Sequence, residues 1–312
     1  MNPTDPTDRM RATAATSTLF ITMRLPDFLI IGAMKAGTTT LYRDLLTNPA
    51  VFMPTDKEPT TLADDQVLQR SNLETYAAYF RRAGADQVCG EASTGYAKIP
   101  TFQGVPRRAL HVLGSNLKVI YLVREPVARA ISHHHHFVRL GKMPARFDQA
   151  VTDDDTLVSY GRYAMQIEPW LEAFGSQSVL ILRFESFVSD RRGTIERVSR
   201  FLGIEPRPQQ VQTDRVFNKS EGKPYLSGPW HAVQRSFLYT RVLRPFIPLG
   251  ARESLRKALL SRDDARLATP SQQTLDHLIE RLEGDAETLR GLMGLSEPLW
   301  DFDQVRAKHV AR

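Results

Sequence analysis

Residues 28–39, Phe-Leu-Ile-Ile-Gly-Ala-Met-Lys-Ala-Gly-Thr-Thr, constrain the fold more than any other stretch of this 312-residue chain. An apolar run, Phe28 to Ile31, enters a loop bounded by Gly32 and Gly37, and a helical pattern opens at Thr39. A strand that is apolar on both faces belongs inside a parallel sheet. A glycine-bounded loop that leads into a helix N-terminus aims backbone N–H groups at an anion. The glycine spacing is that of a P-loop, but Thr38 follows the second glycine where a nucleotide hydrolase carries its lysine. The lysine, Lys35, lies inside the loop, so its charge reaches a different point on the ligand.

Two further apolar runs rich in β-branched residues, Lys118 to Val123 and Val179 to Phe184, predict buried strands, and Val88 to Glu91 predicts a weaker fourth. Helical patterns cover Thr39 to Leu46, Leu73 to Arg82, Pro126 to Arg139, Tyr163 to Phe174 and Arg191 to Leu202, the last ended by Gly203. A final helix, Ser271 to Met293, carries Leu275, Leu278, Ile279, Leu282 and Leu289 close to one face and is expected to be a packing element. This alternation predicts an α/β fold, a single P-loop-like domain with a central parallel sheet flanked by helices. Right-handed crossovers then gather the loops that follow the strands along one sheet edge, where ligands bind.

Hydrophobic residues make up 42% of the chain and charged residues 24%, which argues against a disordered or membrane class. Residues 1–25, rich in Thr, Ala, Pro and Asp, are expected to form a disordered extension. The apolar run Leu19 to Met23 is too short for a signal-peptide core, and no stretch approaches the roughly 20 residues of a membrane span. Cys89 is the only cysteine, so no intramolecular disulfide forms and a cytoplasmic location is expected. A net charge of +6 favours an anionic ligand without identifying it.

The second informative segment runs from Leu117 to Phe137. Its strand ends at Arg124, Pro126 suits the first turn of a helix, and Ser132 lies about two turns along it. A guanidinium and a hydroxyl converging from the sheet edge suit a phosphate monoester. Alternatively, Arg124 pairs with Glu125 or caps a neighbouring helix.

Taken together, the two segments resemble the sulfotransferase family that uses 3′-phosphoadenosine 5′-phosphosulfate (PAPS). Residues 26–302 are similar to its heparan sulfate sulfotransferase branch and bacterial relatives, and the domain is expected to span 26–312. The resemblance implies that Lys35, Ala36, Gly37, Thr38 and Thr39 hold the 5′-phosphosulfate and that Arg124 and Ser132 hold the 3′-phosphate. A stretch from Phe217 to Gly222 is similar to one near the nucleotide in the glycan enzymes, which implies cofactor contacts for Lys219, Lys223 and Tyr225. It also implies Glu58, in Lys57-Glu58-Pro59, as the general base and Lys35 as the cation at the leaving phosphate, with adenosine 3′,5′-bisphosphate (PAP) as product and no metal required. Pro59 predicts an extended backbone at Glu58. Without the resemblance, the favoured reading of Glu58 is a solvated surface carboxylate paired with Lys57.

Successive side chains on a helix point about 100° apart, so His133 to His136 do not converge on a metal, and only His133 and His136 share a face. These two are acceptor-side candidates, and a histidine base is the rival to Glu58. The family's glycan enzymes carry a lysine in a Glu-Lys-Thr-Pro-like stretch where this chain has Glu91-Ala92-Ser93-Thr94, so a positive charge near the acceptor is expected to be missing. Residues 226–262, with interleaved aromatic and basic side chains, form a variable insertion: an acceptor lid, a face for peripheral membrane contact, or an amphipathic helix pair closing the cleft. The expected acceptor is a small molecule, lipid or glycan. No segment matches a nucleic-acid-binding module. The competing function is that of a P-loop small-molecule kinase, which requires a lysine after Gly37 and an acidic strand end to organise Mg²⁺.

Overall fold

A computed structural model describes residues 23–214, 225–226, 260–261 and 270–310. β1 (Phe28–Gly32) is the middle strand of a five-stranded parallel sheet. On one side lie β3 (Val88–Ala92) and then β2 (Val51–Phe52), and on the other β4 (Lys118–Val123) and then β5 (Val179–Arg183). All five residues of β1 are buried, which is why an unbroken apolar run and not an alternating one encodes it. Phe28 pairs with Gly90 on one side and Lys118 on the other. Gly90 leaves room for that arrangement: a Cβ there would sit 2.0 Å from the Phe28 ring.

Among the described residues the α-helices are α1 (Thr38–Leu45), α2 (Arg70–Ala78), α3 (Val105–Leu113), α4 (Pro126–Arg139), α5 (Phe147–Asp153), α6 (Thr156–Ser159), α7 (Tyr163–Phe174), α8 (Phe184–Ser189), α9 (Arg191–Leu202), α10 (Gln272–Leu292) and α11 (Phe302–Val310). Ser271 caps α10 through its hydroxyl, and Leu275, Leu278, Ile279, Leu282 and Leu289 are all buried, as their spacing requires.

Three expectations shift. Phe184 starts α8 and does not extend β5, because its neighbour Phe187 is buried by a helical turn there. The helix expected over Leu73 to Arg82 lies earlier, at Arg70–Ala78. Beyond it the chain continues as turns in which Tyr79 and Phe80 donate to carbonyls three residues back. α3 was not foreseen, although Gly104 followed by Pro106 is an adequate start signal.

The α1 helix is tied to α9 by a buried bidentate pair. Arg191 donates to both carboxylate oxygens of Asp44, at 3.0 Å from Nε and 2.5 Å from Nη2, with both side chains nearly inaccessible. At the other end of the sheet Arg24 donates to Asp27 (3.0 Å) and to the Cys89 thiol (3.1 Å), so the described end of the expected 1–25 extension is fastened to β3. No helix among the described residues is long and apolar enough to cross a membrane. The 226–262 insertion lies outside the described residues apart from a two-stranded antiparallel pairing of β6 (Tyr225–Leu226) with β7 (Leu260–Ser261).

Candidate active site

The β1 strand passes straight into the anion loop. Ala33 N donates to Leu122 O of β4 (2.6 Å), and Ala36 N donates back to Ala33 O (3.1 Å), closing a tight turn. Lys35 has φ 72° and Gly37 φ 91°. These left-handed residues curl the backbone around the N-terminus of α1. No side chain among the described residues caps that terminus, and its first turn holds no acidic residue. The positive end of the helix dipole and the N–H groups at the start of α1 are therefore left uncapped by any side chain among the described residues, the arrangement that suits a phosphate. Gly37 is also sterically required, since a Cβ there would lie 2.8 Å from the Phe184 ring.

Arg124 closes the same space from β4. Its Nη1 donates to Lys35 O (3.1 Å), across 89 residues of sequence, and its guanidinium stacks 4.9 Å from the centre of the Phe184 ring. The alternative pairing with Glu125 does not occur. The Glu125 carboxylate caps α4 instead, accepting from Val127 N (2.6 Å) and Ala128 N (2.8 Å). Tyr163 further steadies the strand end by donating to Arg124 O (2.6 Å). Ser132 is buried on the second turn of α4.

Glu58 sits on the loop that crosses the end of β3, where its N–H donates to Ala92 O (3.0 Å). The extended backbone expected from Pro59 is not adopted: φ is 65°. The side chain is held by two contacts, Lys57 Nζ on Oε1 (2.7 Å) and Thr94 Oγ1 on Oε2 (3.0 Å). Closing both contacts while the N–H reaches Ala92 O is what the left-handed turn accomplishes. Partial burial pulls the Glu58 pKa upward, but Lys57, Thr94 and Lys98 outweigh it and leave the carboxyl below its ordinary value. At neutral pH it is a carboxylate, 39% exposed.

Beneath this loop lies a polar core. Glu91, fully buried, accepts hydrogen bonds from Tyr76 and from Ser93 (2.6 Å). Ser93 Oγ in turn accepts from Thr60 N (3.1 Å), and Tyr96 Oη accepts from Leu62 N (3.1 Å). The segment after Glu58 is therefore docked onto the end of β3 and the turn that follows it by Ser93 and Tyr96, with Glu91 behind them.

The histidines divide. His133 is fully buried, stacked on Tyr160 (5.8 Å between ring centres, 7° between planes) and edge-on to Phe137 (4.6 Å). Burial, with Arg129, Lys98 and Lys35 nearby, lowers its pKa to about 2, so it is neutral. Its Nε2 has no hydrogen-bond partner among the described residues. His134 is packed against Phe147 and bonded to Pro144 O (2.8 Å). His136 is half-buried on the same face as His133.

Residues 25–230 match the family model for the sulfotransferase domain. The chain belongs to the sulfotransferase family. Among relatives, human heparan sulfate glucosamine 3-O-sulfotransferase 6 is 32% identical over 215 residues, covering 65% of this chain and 59% of that protein. The mouse bifunctional heparan sulfate N-deacetylase/N-sulfotransferase 4 is 30% identical over 203 residues, covering 58% of this chain and 23% of that one. This chain thus spans less than two thirds of the relatives' lengths. The crystal structure of a sulfotransferase from Alicyclobacillus acidocaldarius superposes over 88% of this chain and 98% of that one, with a TM-score of 0.61 at 19% identity, and so shares the fold.

In this sulfotransferase-family chain the structure joins the loop of Lys35, Ala36, Gly37, Thr38 and Thr39 to Arg124, with Ser132 on the helix that follows Arg124 and Glu58 on the loop at the end of β3. Lys219 and Lys223 lie outside the described residues, and of Tyr225 only the strand pairing with Ser261 is described. Three contributors escaped sequence reasoning. Phe184 supports both Gly37 and Arg124. Arg129 is fully buried on α4, bonded to Leu157 O (2.5 Å) and close to His133 Nδ1 (3.4 Å). Lys98, further along the loop that follows residues 91–94, places its charge near Glu58. A Phe after a strand, or a Lys in a turn, carries no signal of its own in a single sequence.

Proposed function

We propose that the chain transfers a sulfuryl group from PAPS to a hydroxyl of a glycan, glycolipid or secondary-metabolite acceptor. The observation that carries this reading is the hydrogen bond from the Arg124 guanidinium to Lys35 O. It joins the uncapped N-terminus of α1 to a second anion-binding group on the adjacent strand end, the pairing a nucleotide with phosphates at both ends of its ribose demands. The loop residues 35–39 and the α1 dipole suit the 5′-phosphosulfate, and Arg124 with Ser132 suits the 3′-phosphate. The relatives named as glucosamine 3-O-sulfotransferases support a hydroxyl over an amine.

The donor supplies an activated sulfuryl group, and the protein supplies alignment and charge. In-line transfer forms one bond from the acceptor oxygen to sulfur as the bond from sulfur to the 5′-phosphate oxygen breaks. Lys35 is placed to stabilise the charge that develops on the departing phosphate. Glu58 takes the hydroxyl proton: it is ionised at neutral pH, and each of its oxygens keeps a lone pair beyond its bond to Lys57 or Thr94. His133 is a poor base, because it is fully buried and a pKa of about 2 leaves its ring little affinity for a proton.

The direct test is transfer from labelled PAPS into an extract of the native host, with the product identified by mass. Glu58→Gln should lower kcat by about 10²–10⁴-fold while PAP binding, measured by calorimetry, is unchanged. Full activity in the glutamine variant would assign the proton to another group.

A further inference from the structure

Lys98 sits in the loop after β3 that also carries Thr94, the hydroxyl that bonds Glu58. The loop is rigidly held at this point. Gln166, buried on α7, grips Ile99 from both sides, accepting from its N–H (2.8 Å) and donating to its carbonyl (2.9 Å), and Thr101 bonds the Tyr160 hydroxyl (2.5 Å). The Lys98 ammonium is thereby set 5.8 Å from the centre of the Tyr160 ring, whose plane stacks on His133. Its charged neighbours are Glu58, Lys57 and Arg129, and burial lowers its pKa.

The charge balance is the informative point. Lys57 and Glu58 form an ion pair at 2.7 Å and neutralise one another. Lys98 makes no ion pair among the described residues, so this side of the cleft carries one uncompensated, half-buried cation beside the carboxylate that receives the acceptor. A partly desolvated cation that shares Glu58 with Lys57 and otherwise faces an aromatic ring is stabilised when a further anion arrives. The donor's phosphates are met elsewhere, by the α1 N-terminus and Arg124.

We propose that Lys98 is an acceptor-specificity residue, pairing with an anionic group, a carboxylate or a sulfate, that the acceptor carries beside the hydroxyl presented to Glu58. This inference rests on the sulfotransferase reading above and narrows its substrate class: neutral alcohols are poor acceptors and acidic ones are preferred. Tyr160, stacked on the buried His133, backs the Lys98 ammonium from the protein side.

The test begins with the labelled products of the extract assay. Every major product is expected to bear at least one acidic group besides the new sulfate, counted by anion exchange and mass. With that acceptor purified, Lys98→Met should raise KM by about tenfold or more with a smaller change in kcat, and Lys98→Arg should restore most of the loss. Masking the acceptor's acidic group, by methyl esterification or desulfation, should raise KM equally for the native enzyme and not further for the methionine variant. PAP binding by calorimetry should be the same in all three proteins, which shows that the variants are folded. Major products whose only anionic group is the new sulfate, or an unchanged KM in Lys98→Met, would overturn the inference alone. Absence of any labelled product would overturn the sulfotransferase reading and this inference with it.

Discussion

Replacing Lys35 with alanine is expected to lower kcat for sulfuryl transfer by about 10²–10³-fold, the usual cost of removing one preorganised group that stabilises developing charge. PAP affinity should change far less, because the loop N–H groups, the α1 dipole and Arg124 remain. The substitution isolates the side chain. Position 35 has φ 72° whichever L residue occupies it, and the carbonyl that accepts from Arg124 belongs to the backbone. A single-turnover measurement with labelled PAPS separates the chemical step from product release. Transfer at the native rate would mean that the leaving phosphate is stabilised by another group. Lys35→Arg should recover only part of the activity, since a planar guanidinium cannot place a point charge where the ammonium stood.

The largest effect on stability is expected from Arg191→Met. It leaves Asp44 buried on α1 without its bidentate partner, and breaking such a pair costs about 3–5 kcal/mol. Chemical denaturation should show the loss as a lower midpoint with an unchanged slope. The double variant Asp44→Leu/Arg191→Met should recover much of it, because the uncompensated charge is removed along with its partner. A functional consequence follows from position. The pair anchors the helix whose N-terminus forms the donor loop, so the single variant should also bind PAP more weakly than the native protein. A single variant as stable as the native chain would show that water or a neighbouring group satisfies Asp44.

The parts of the site that were legible in the sequence are those in which local chemistry dictates local structure. Gly32 and Gly37 around Lys35 define a loop whatever surrounds it, and Arg124-Glu125-Pro126 defines a strand end and helix start with its own cap. The parts that were not legible depend on contacts between distant segments. Glu58 gave an extended reading from Pro59 alone, yet its backbone turned left-handed because Ala92 O, Thr94 and Lys57 together fixed where its N–H and carboxylate must lie. Local preference for an extended pre-proline residue is worth less than three such contacts. Likewise the four consecutive histidines looked like a unit, but α4 turned His133 and His134 into different apolar pockets.

By itself the sequence determined that a buried strand runs into a glycine-bounded loop and helix, that a second strand ends in an arginine ahead of a proline-led helix, and that the two segments resemble the sulfotransferase pattern. Periodicity and glycine positions are local properties, readable without coordinates. Only the tertiary structure decided that Arg124 reaches Lys35, that Glu91 and Gln166 dock the loops bearing Glu58 and Lys98, and that a cation stands beside the carboxylate although Ala92 occupies the expected position. Those outcomes depend on strand order. With β1 between β3 and β4, loops far apart in the chain share one edge of the sheet, and charges that no spacing rule connects are brought within range of one another.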